Sequence, residues 1–241
     1  MKLRAARLRT LPAVALAATL LLGGCAATPS KVDPFEPMNR AMFEVNDVVD
    51  GNVVKPIAEL YVAAVPQLVR TGITNVFNNI DDFFSGINGL LQGKTEKAGN
   101  DFGRVLLNTI CLLGVFDVAS DLGIERGNED FGQTFAVWGF PQGPYIFVPL
   151  FGPTTVRDGT GVLVRVYAGP VGFIPYVPLR NSLYGVGYVD LRAQALDAGD
   201  VVRTGALDRY LFVRNAYLQR RRYLQFDGNP PPAIEELEEQ E

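Results

Sequence analysis

After Pro37 the apolar residues Met38, Met42, Val45 and Val49 recur at helical spacing, which predicts a helix that stops at Gly51. The same period continues over about 53–64, 67–79, 82–92 and 95–113, with Pro66, the Asp81-Asp82 pair and Gly93 as separators and Thr95 as an N-cap. Short helices on short connections predict neighbours that pack antiparallel or wrap around one another. Thr155-Val-Arg-Asp158 has the spacing of a capping box and predicts a helix over about 156–168. Periodic stretches near 181–198 and 206–225 complete the pattern. In the last, Leu207, Leu211, Leu218 and Leu224 form the apolar side, and Arg209, Arg214, Arg220, Arg221 and Arg222 read as a solvated face.

The middle of the chain breaks this rhythm. Residues 131 to 191 hold five charged side chains in 61 positions, with 12 of the chain's 25 aromatic residues, ten glycines and seven prolines. A core helix so apolar would alternate with a charged face, and here Gly139, Pro141, Pro144, Pro149, Pro153, Pro170, Pro175 and Pro178 interrupt any long helix. Apolar pieces cut by Gly and Pro suit re-entrant or interface-parallel segments, whose irregular backbone must be covered by protein or water. A loop-rich soluble core is the alternative for these residues.

The first 24 residues form a basic, then apolar leader. Lys2, Arg4, Arg7 and Arg9 precede a twelve-residue apolar run over 11–22, too short to span a bilayer comfortably, and the pattern is that of a signal peptide. Leu22-Gly23-Gly24-Cys25 is similar to a bacterial lipobox, which makes Cys25 the acylated first residue of the mature chain. Cleavage there leaves 18 basic against 26 acidic residues, a net charge of −8, so attraction to anionic lipid is not the anchor. Several acyl chains at about 0.8 kcal/mol per buried methylene would make attachment effectively permanent. Ala26 rather than Asp at the next position resembles the sorting signal for the outer membrane. Residues 25–34 then serve as a Pro-punctuated tether, 35–225 as one helical domain, and 226–241, with Pro230-Pro-Pro232 and five Glu in the last seven positions, as an acidic extension without fixed structure. Cys111 is left as a small buried hydrophobe with no disulfide partner.

Composition removes several chemistries. There is no histidine, so Ser-His-Asp and Cys-His nucleophiles are unavailable, and two cysteines do not build a zinc site. Gly93-Lys94-Thr95 ends like a phosphate-binding loop, but Asn88 stands where the pattern requires glycine. Gly185-Val-Gly187 lacks the third glycine of a dinucleotide fingerprint, and no serine is centred in a Gly-x-Ser-x-Gly elbow. Glu125, Glu129 and Asp130 are a carboxylate cluster open to an acid/base reading, with a solvated loop as the plainer one. No nucleic-acid-binding or cofactor signature is present, and the chain reads as a non-enzyme.

Several separated elements carry a resemblance. Asp33-Pro-Phe-Glu-Pro-Met-Asn-Arg-Ala-Met-Phe43 with Asn46-Asp47, Val65-Pro-Gln-Leu-Val-Arg-Thr-Gly72, Asn88-Gly-Leu-Leu-Gln-Gly93 and Asn108-Thr109 come first. Asp130-Phe-Gly-Gln-Thr-Phe-Ala-Val-Trp-Gly139, Gly143-Pro-Tyr145, Pro149-Leu-Phe-Gly152 and Arg157-Asp158 are the densest part, and Tyr188-Val-Asp-Leu-Arg192, Leu196-Asp197, Tyr210-Leu-Phe-Val-Arg214 and Ala216-Tyr217 close it. In this order they resemble the VacJ/MlaA family of outer-membrane lipoproteins. The resemblance implies an all-α, ring-shaped domain of short and medium helices lying in the periplasmic leaflet of the outer membrane, with an amphipathic central channel. It implies removal of misplaced phospholipid from the outer leaflet, delivery to a soluble periplasmic lipid-carrier protein, and association with a trimeric porin.

On that reading Phe131, Phe135, Trp138, Tyr145, Phe147 and Phe151 are candidates for membrane-facing or channel-lining positions, with ordinary packing as the alternative. Arg157 is the candidate to meet a phosphate, with a bridge to Asp158 as its alternative. The competing functions are a scaffold that holds a porin without moving lipid, and a carboxylate hydrolase.

Overall fold

A computed structural model describes residues 32–231. The expected leader, the expected acylation site Cys25 and the acidic end of the chain lie outside the described residues.

Helix α1 (Glu36–Val49) carries Pro37 in its first turn, where a missing N–H costs nothing. It does not stop at Gly51. A π-helical turn, Asp50–Val54, carries the chain straight into α2 (Lys55–Ala64), and Asp50 is clamped there by Arg192 through two contacts of 2.7 Å. Pro66 separates α2 from α3 (Gln67–Leu91), a single 25-residue helix. The expected break at Asp81-Asp82 is absent because both carboxylates find cations outside the helix: Asp81 pairs with Arg165 and Asp82 accepts from Arg104 Nε at 2.9 Å. In α4 (Thr95–Leu112), Thr95 is the first helical residue and Lys94 stands at the cap position without a side-chain hydrogen bond, so the expected Thr95 cap does not form. Leu113 and Gly114, at φ 54° and 78°, end α4 in left-handed backbone.

Two short helices follow, each capped by an aspartate. Asp117 accepts from Ser120 N at the start of α5 (Val118–Asp121), and Asp130 from Gln133 N at 2.9 Å at the start of α6 (Phe131–Val137). Strands β1 (Tyr145–Val148) and β2 (Gly152–Thr155) then form an antiparallel hairpin in which Tyr145 lies opposite Thr155 and Val148 opposite Gly152. This hairpin was not expected from the Gly/Pro-rich pattern. Thr155 ends β2 and caps α7 (Val156–Ala168), its Oγ1 accepting from Asp158 N at 3.2 Å, as the capping-box spacing predicts. After a 3-10 turn, Pro170–Phe173, come α8 (Val177–Gln194), α9 (Leu196–Gly205) and α10 (Arg209–Gln225). The single helix expected near 181–198 is thus two: α8 begins earlier because Pro178 sits harmlessly in its first turn, and a joint at Ala195 starts α9. The fold is all-α apart from the hairpin.

The interior is chemically inverted. Among the described residues, buried polar or charged side chains outnumber buried hydrophobic ones by fifteen to eight, and the fully buried large side chains include Arg104, Gln133, Asn39 and Asn88. Water-soluble domains bury the opposite mixture. The cause is visible along α3 and α4. Asp82, Ser85 and Asn88 form one buried stripe on α3 and Asp101, Arg104 and Asn108 one on α4, while Leu106 and Ile110 of α4 point outward at 60% and 74% exposure. Helix α1 behaves alike: Asn39 is buried, whereas the periodic Met38, Met42 and Val45 face out.

Cys111 shares that outward face and is exposed, which corrects the expectation of a buried thiol. Arg104 holds the α3–α4 seam together, donating to Asp82 from Nε and to Asp117 from Nη2 at 2.8 and 3.0 Å. Among the described residues a conventional core cluster lies where β1 meets α10: Tyr145, Phe147 and Tyr210 are buried together, with Phe43 of α1 edge-on to Phe147 at 5.2 Å. Asn39 locks this cluster, donating to Asp33 and to the Tyr145 carbonyl and accepting from Phe147 N at 2.9 Å.

Candidate functional site

Between α3, the 126–130 loop, the start of α6, β2, α7 and α10 lies a cavity of about 400 Å³. Its lining is two-sided. Phe84, Phe131, Val162 and Leu224 supply apolar surface, and four arginines, Arg126, Arg165, Arg220 and Arg221, supply cations. Two glycines let the wall close around it: an added Cβ at Gly161 would lie 2.6 Å from Gly132 N, so α6 and α7 touch backbone to backbone.

The charged side is organised around carboxylates. Arg221 bridges Asp130 and Asp158, reaching Asp130 Oδ1 at 3.0 Å and Asp158 Oδ1 at 3.1 Å, and Tyr217 donates to Asp158 Oδ2 at 2.8 Å. Burial alone would raise the Asp130 carboxyl, but hydrogen bonding and charge from Arg221 reverse this and hold it below its ordinary value. Burial drives the Tyr217 phenol upward, reinforced by the Asp158 charge, so it stays protonated and donating. Arg165 pairs with Asp81 and lays its guanidinium over the Phe84 ring, 4.9 Å from the centroid, covering the apolar wall with a cation. Near one edge Glu129 is buried and accepts from Lys94 and Lys97 at 3.0 and 2.8 Å, and both lysines also hold Asp227 just past α10. Glu129 and Asp130 are therefore committed to ion pairs, not to a solvated loop.

A cavity with one apolar and one charged wall, inside a body whose exterior is apolar and whose helices are all too short or too polar to cross a membrane among the described residues, suits an amphiphile. The family model described as MlaA lipoprotein matches residues 31–224. The chain belongs to the MlaA lipoprotein family. Its MlaA-family relatives include the intermembrane phospholipid transport system lipoprotein MlaA of Escherichia coli strain K12, 33% identical over 231 residues covering 92% of this chain and 91% of that protein. The protein of the same description from Haemophilus influenzae is 34% identical over 236 residues, covering 93% and 92%. A chain solved in work on the structural basis for maintenance of bacterial outer membrane lipid asymmetry superposes with a TM-score of 0.70 at 31% identity, covering 82% of this chain and 99% of that one.

Within this MlaA-family fold the residues singled out from sequence fall into three places. Phe131 lines the cavity. Trp138, Phe151 and half-buried Phe135 lie toward the outside: Trp138 is 52% exposed with Nε1 donating to the Leu91 carbonyl, Phe151 is 78% exposed at the hairpin turn, and Phe135 packs on Trp138 and Phe140. Tyr145 and Phe147 are sealed in the β1–α10 cluster. Arg157 is buried, 3.3 Å from Asp158 Oδ1 and within reach of Gln225, and is not among the cavity-lining residues. The arginine-rich side of α10 corrects its sequence reading, because Arg214 and Arg221 turn inward to Asp33 and Asp130. The cavity arginines were missed as site residues because their partners lie far away in the chain. Arg165, one of five charges in the apolar middle, was the one available signal.

Proposed function

We propose that the protein is a lipid-anchored component of intermembrane phospholipid transport that sits at the outer membrane and conducts phospholipid through its amphipathic cavity. The observation that carries this reading is the two-walled cavity beneath an apolar exterior. Taking a phospholipid into water exposes roughly 30 methylenes at about 0.8 kcal/mol each, a barrier on the order of 25 kcal/mol. A passage with Phe84, Phe131 and Leu224 on one side and arginines on the other lets acyl chains and headgroup each keep a compatible environment. Lowering a transfer barrier this way breaks no covalent bond, which accords with a chain that has no histidine.

The ring-like arrangement, the handover to a soluble periplasmic carrier and the association with a trimeric porin belong to this proposal. So do Cys25 acylation and contact of Phe131, Phe135, Trp138 and Phe151 with lipid. The relatives named for intermembrane phospholipid transport support the role. The test uses acylated full-length protein in vesicles of phosphatidylethanolamine and phosphatidylglycerol containing a fluorescent phospholipid. The protein should speed transfer of the label to a soluble acceptor above protein-free vesicles. Equal rates would support the scaffold reading instead.

A further inference from the structure

Three of the four cavity-lining arginines are already neutralised. Arg126 lies 3.4 Å from Asp82 and 3.1 Å from Asp117, Arg165 is paired with Asp81, and Arg221 with Asp130 and Asp158. Arg220 differs. It is exposed, it lines the cavity, and it has no hydrogen-bond or ion-pair partner among the described residues. It also borders a second concavity on the other flank of α10, walled by Ala216, Tyr223, Pro230 and Pro231, so it stands where the cavity meets the surface. One turn further along the same face of α10, Leu224 continues the apolar wall.

We propose that Arg220 is the phosphate-reading residue of the lipid path, receiving the phosphodiester of a phospholipid headgroup at the cavity mouth while the acyl chains run past Leu224 and Phe131. The proposal rests on the lipid-conducting reading above. An unpaired guanidinium offers its planar fork to two phosphate oxygens without first giving up a carboxylate, which Arg126, Arg165 and Arg221 would each have to do. Among the described residues the surrounding carboxylates are held by their own cations, so the charge in the cavity left to be matched there is positive, and its natural complement is a mobile anion. The aliphatic stem of Arg220 adds apolar contact beside Leu224, fitting a ligand that is anionic at one end and apolar at the other.

The experiment compares wild type, Arg220→Gln and Arg220→Lys in vesicles of phosphatidylethanolamine and phosphatidylglycerol. Each is assayed with fluorescent phosphatidylglycerol and with fluorescent diacylglycerol, which keeps the chains and lacks the phosphate. Because Arg220 is exposed and has no partner among the described residues, both variants should melt like wild type. Arg220→Gln should slow phosphatidylglycerol transfer about tenfold, the scale of one lost charge-assisted hydrogen bond, with diacylglycerol transfer unchanged and Arg220→Lys in between. Wild-type phosphatidylglycerol rates in Arg220→Gln, or equal slowing of both lipids, would overturn the assignment while leaving the conduit intact. Failure of the wild-type protein to move either lipid would overturn the conduit and, with it, the role of Arg220.

Discussion

The α3–α4 seam and the cluster around Tyr145 perform the same task, joining distant segments of chain, with opposite chemistry. In the seam, Arg104, fully buried, ties Asp82 to Asp117, and apolar side chains such as Ile110 are left outside. In the cluster, Tyr145, Phe147 and Tyr210 are buried as in any water-soluble domain. The contrast is what the proposed membrane setting would require. Polar groups gather inside when hydrocarbon is outside, because an unpaired donor facing lipid costs several kcal/mol. The aromatic cluster sits where helix, strand and the segment around Asp33 converge and needs no such inversion.

The contrast can be broken at its strongest point by Arg104→Ala. This variant leaves buried Asp82 with only its longer 3.4 Å contact to Arg126 and should cost about 3 kcal/mol, read as a large loss of melting temperature in detergent. Phe147→Ala tests the conventional cluster. Deleting a buried ring should cost about 3 kcal/mol or more, and, unlike the seam variant, by a similar amount in any detergent. A finding that Arg104→Ala is nearly neutral while Phe147→Ala unfolds the protein would mean the charged seam is incidental.

Acid sharpens the comparison further. Burial works against ionisation of Asp117, but hydrogen bonds from Ser120 and Asn108 and the Arg104 charge prevail and bring its carboxyl down to about 2. A depressed carboxyl stabilises the fold above its unfolded value near 3.8, and that contribution, about 2 kcal/mol, disappears as pH falls toward 2. An acid titration followed by circular dichroism should therefore lose stability across this window, and Asp117→Asn should flatten the loss. The smallest effect is expected on the outside: Leu106→Ser with Ile110→Ser should leave the unfolding free energy in detergent within about 0.5 kcal/mol of wild type while weakening partition into vesicles.

Local signals in the chain were legible where the deciding atoms were close in sequence. The Thr155-Asp158 cap formed because both groups sit within one turn. The break at Asp81-Asp82 did not, because its outcome was decided by Arg104 and Arg165, 22 and 84 positions away. Gly51 failed as a stop for a like reason, since Arg192 holds Asp50 from 142 positions along the chain. Periodicity found most of the long helical stretches but misplaced their joints, and it was silent on which stripe faced inward, so Met38, Met42 and Val45 could be placed on one face but not outside. The cavity was the least legible feature: two of its four cations, Arg220 and Arg221, read as a solvated face of α10 until Asp130 and Asp158 were brought against Arg221.

The outward ridges of Met38, Val45, Leu106 and Ile110 have a colloidal consequence. Two copies meeting in bulk water would cover each other's ridges more cheaply than water can wet them, so the protein freed of lipid should cluster at dilutions where ordinary domains stay single. Its solubility is then set by whatever amphiphile coats it, and a purification is best judged by the coat it carries.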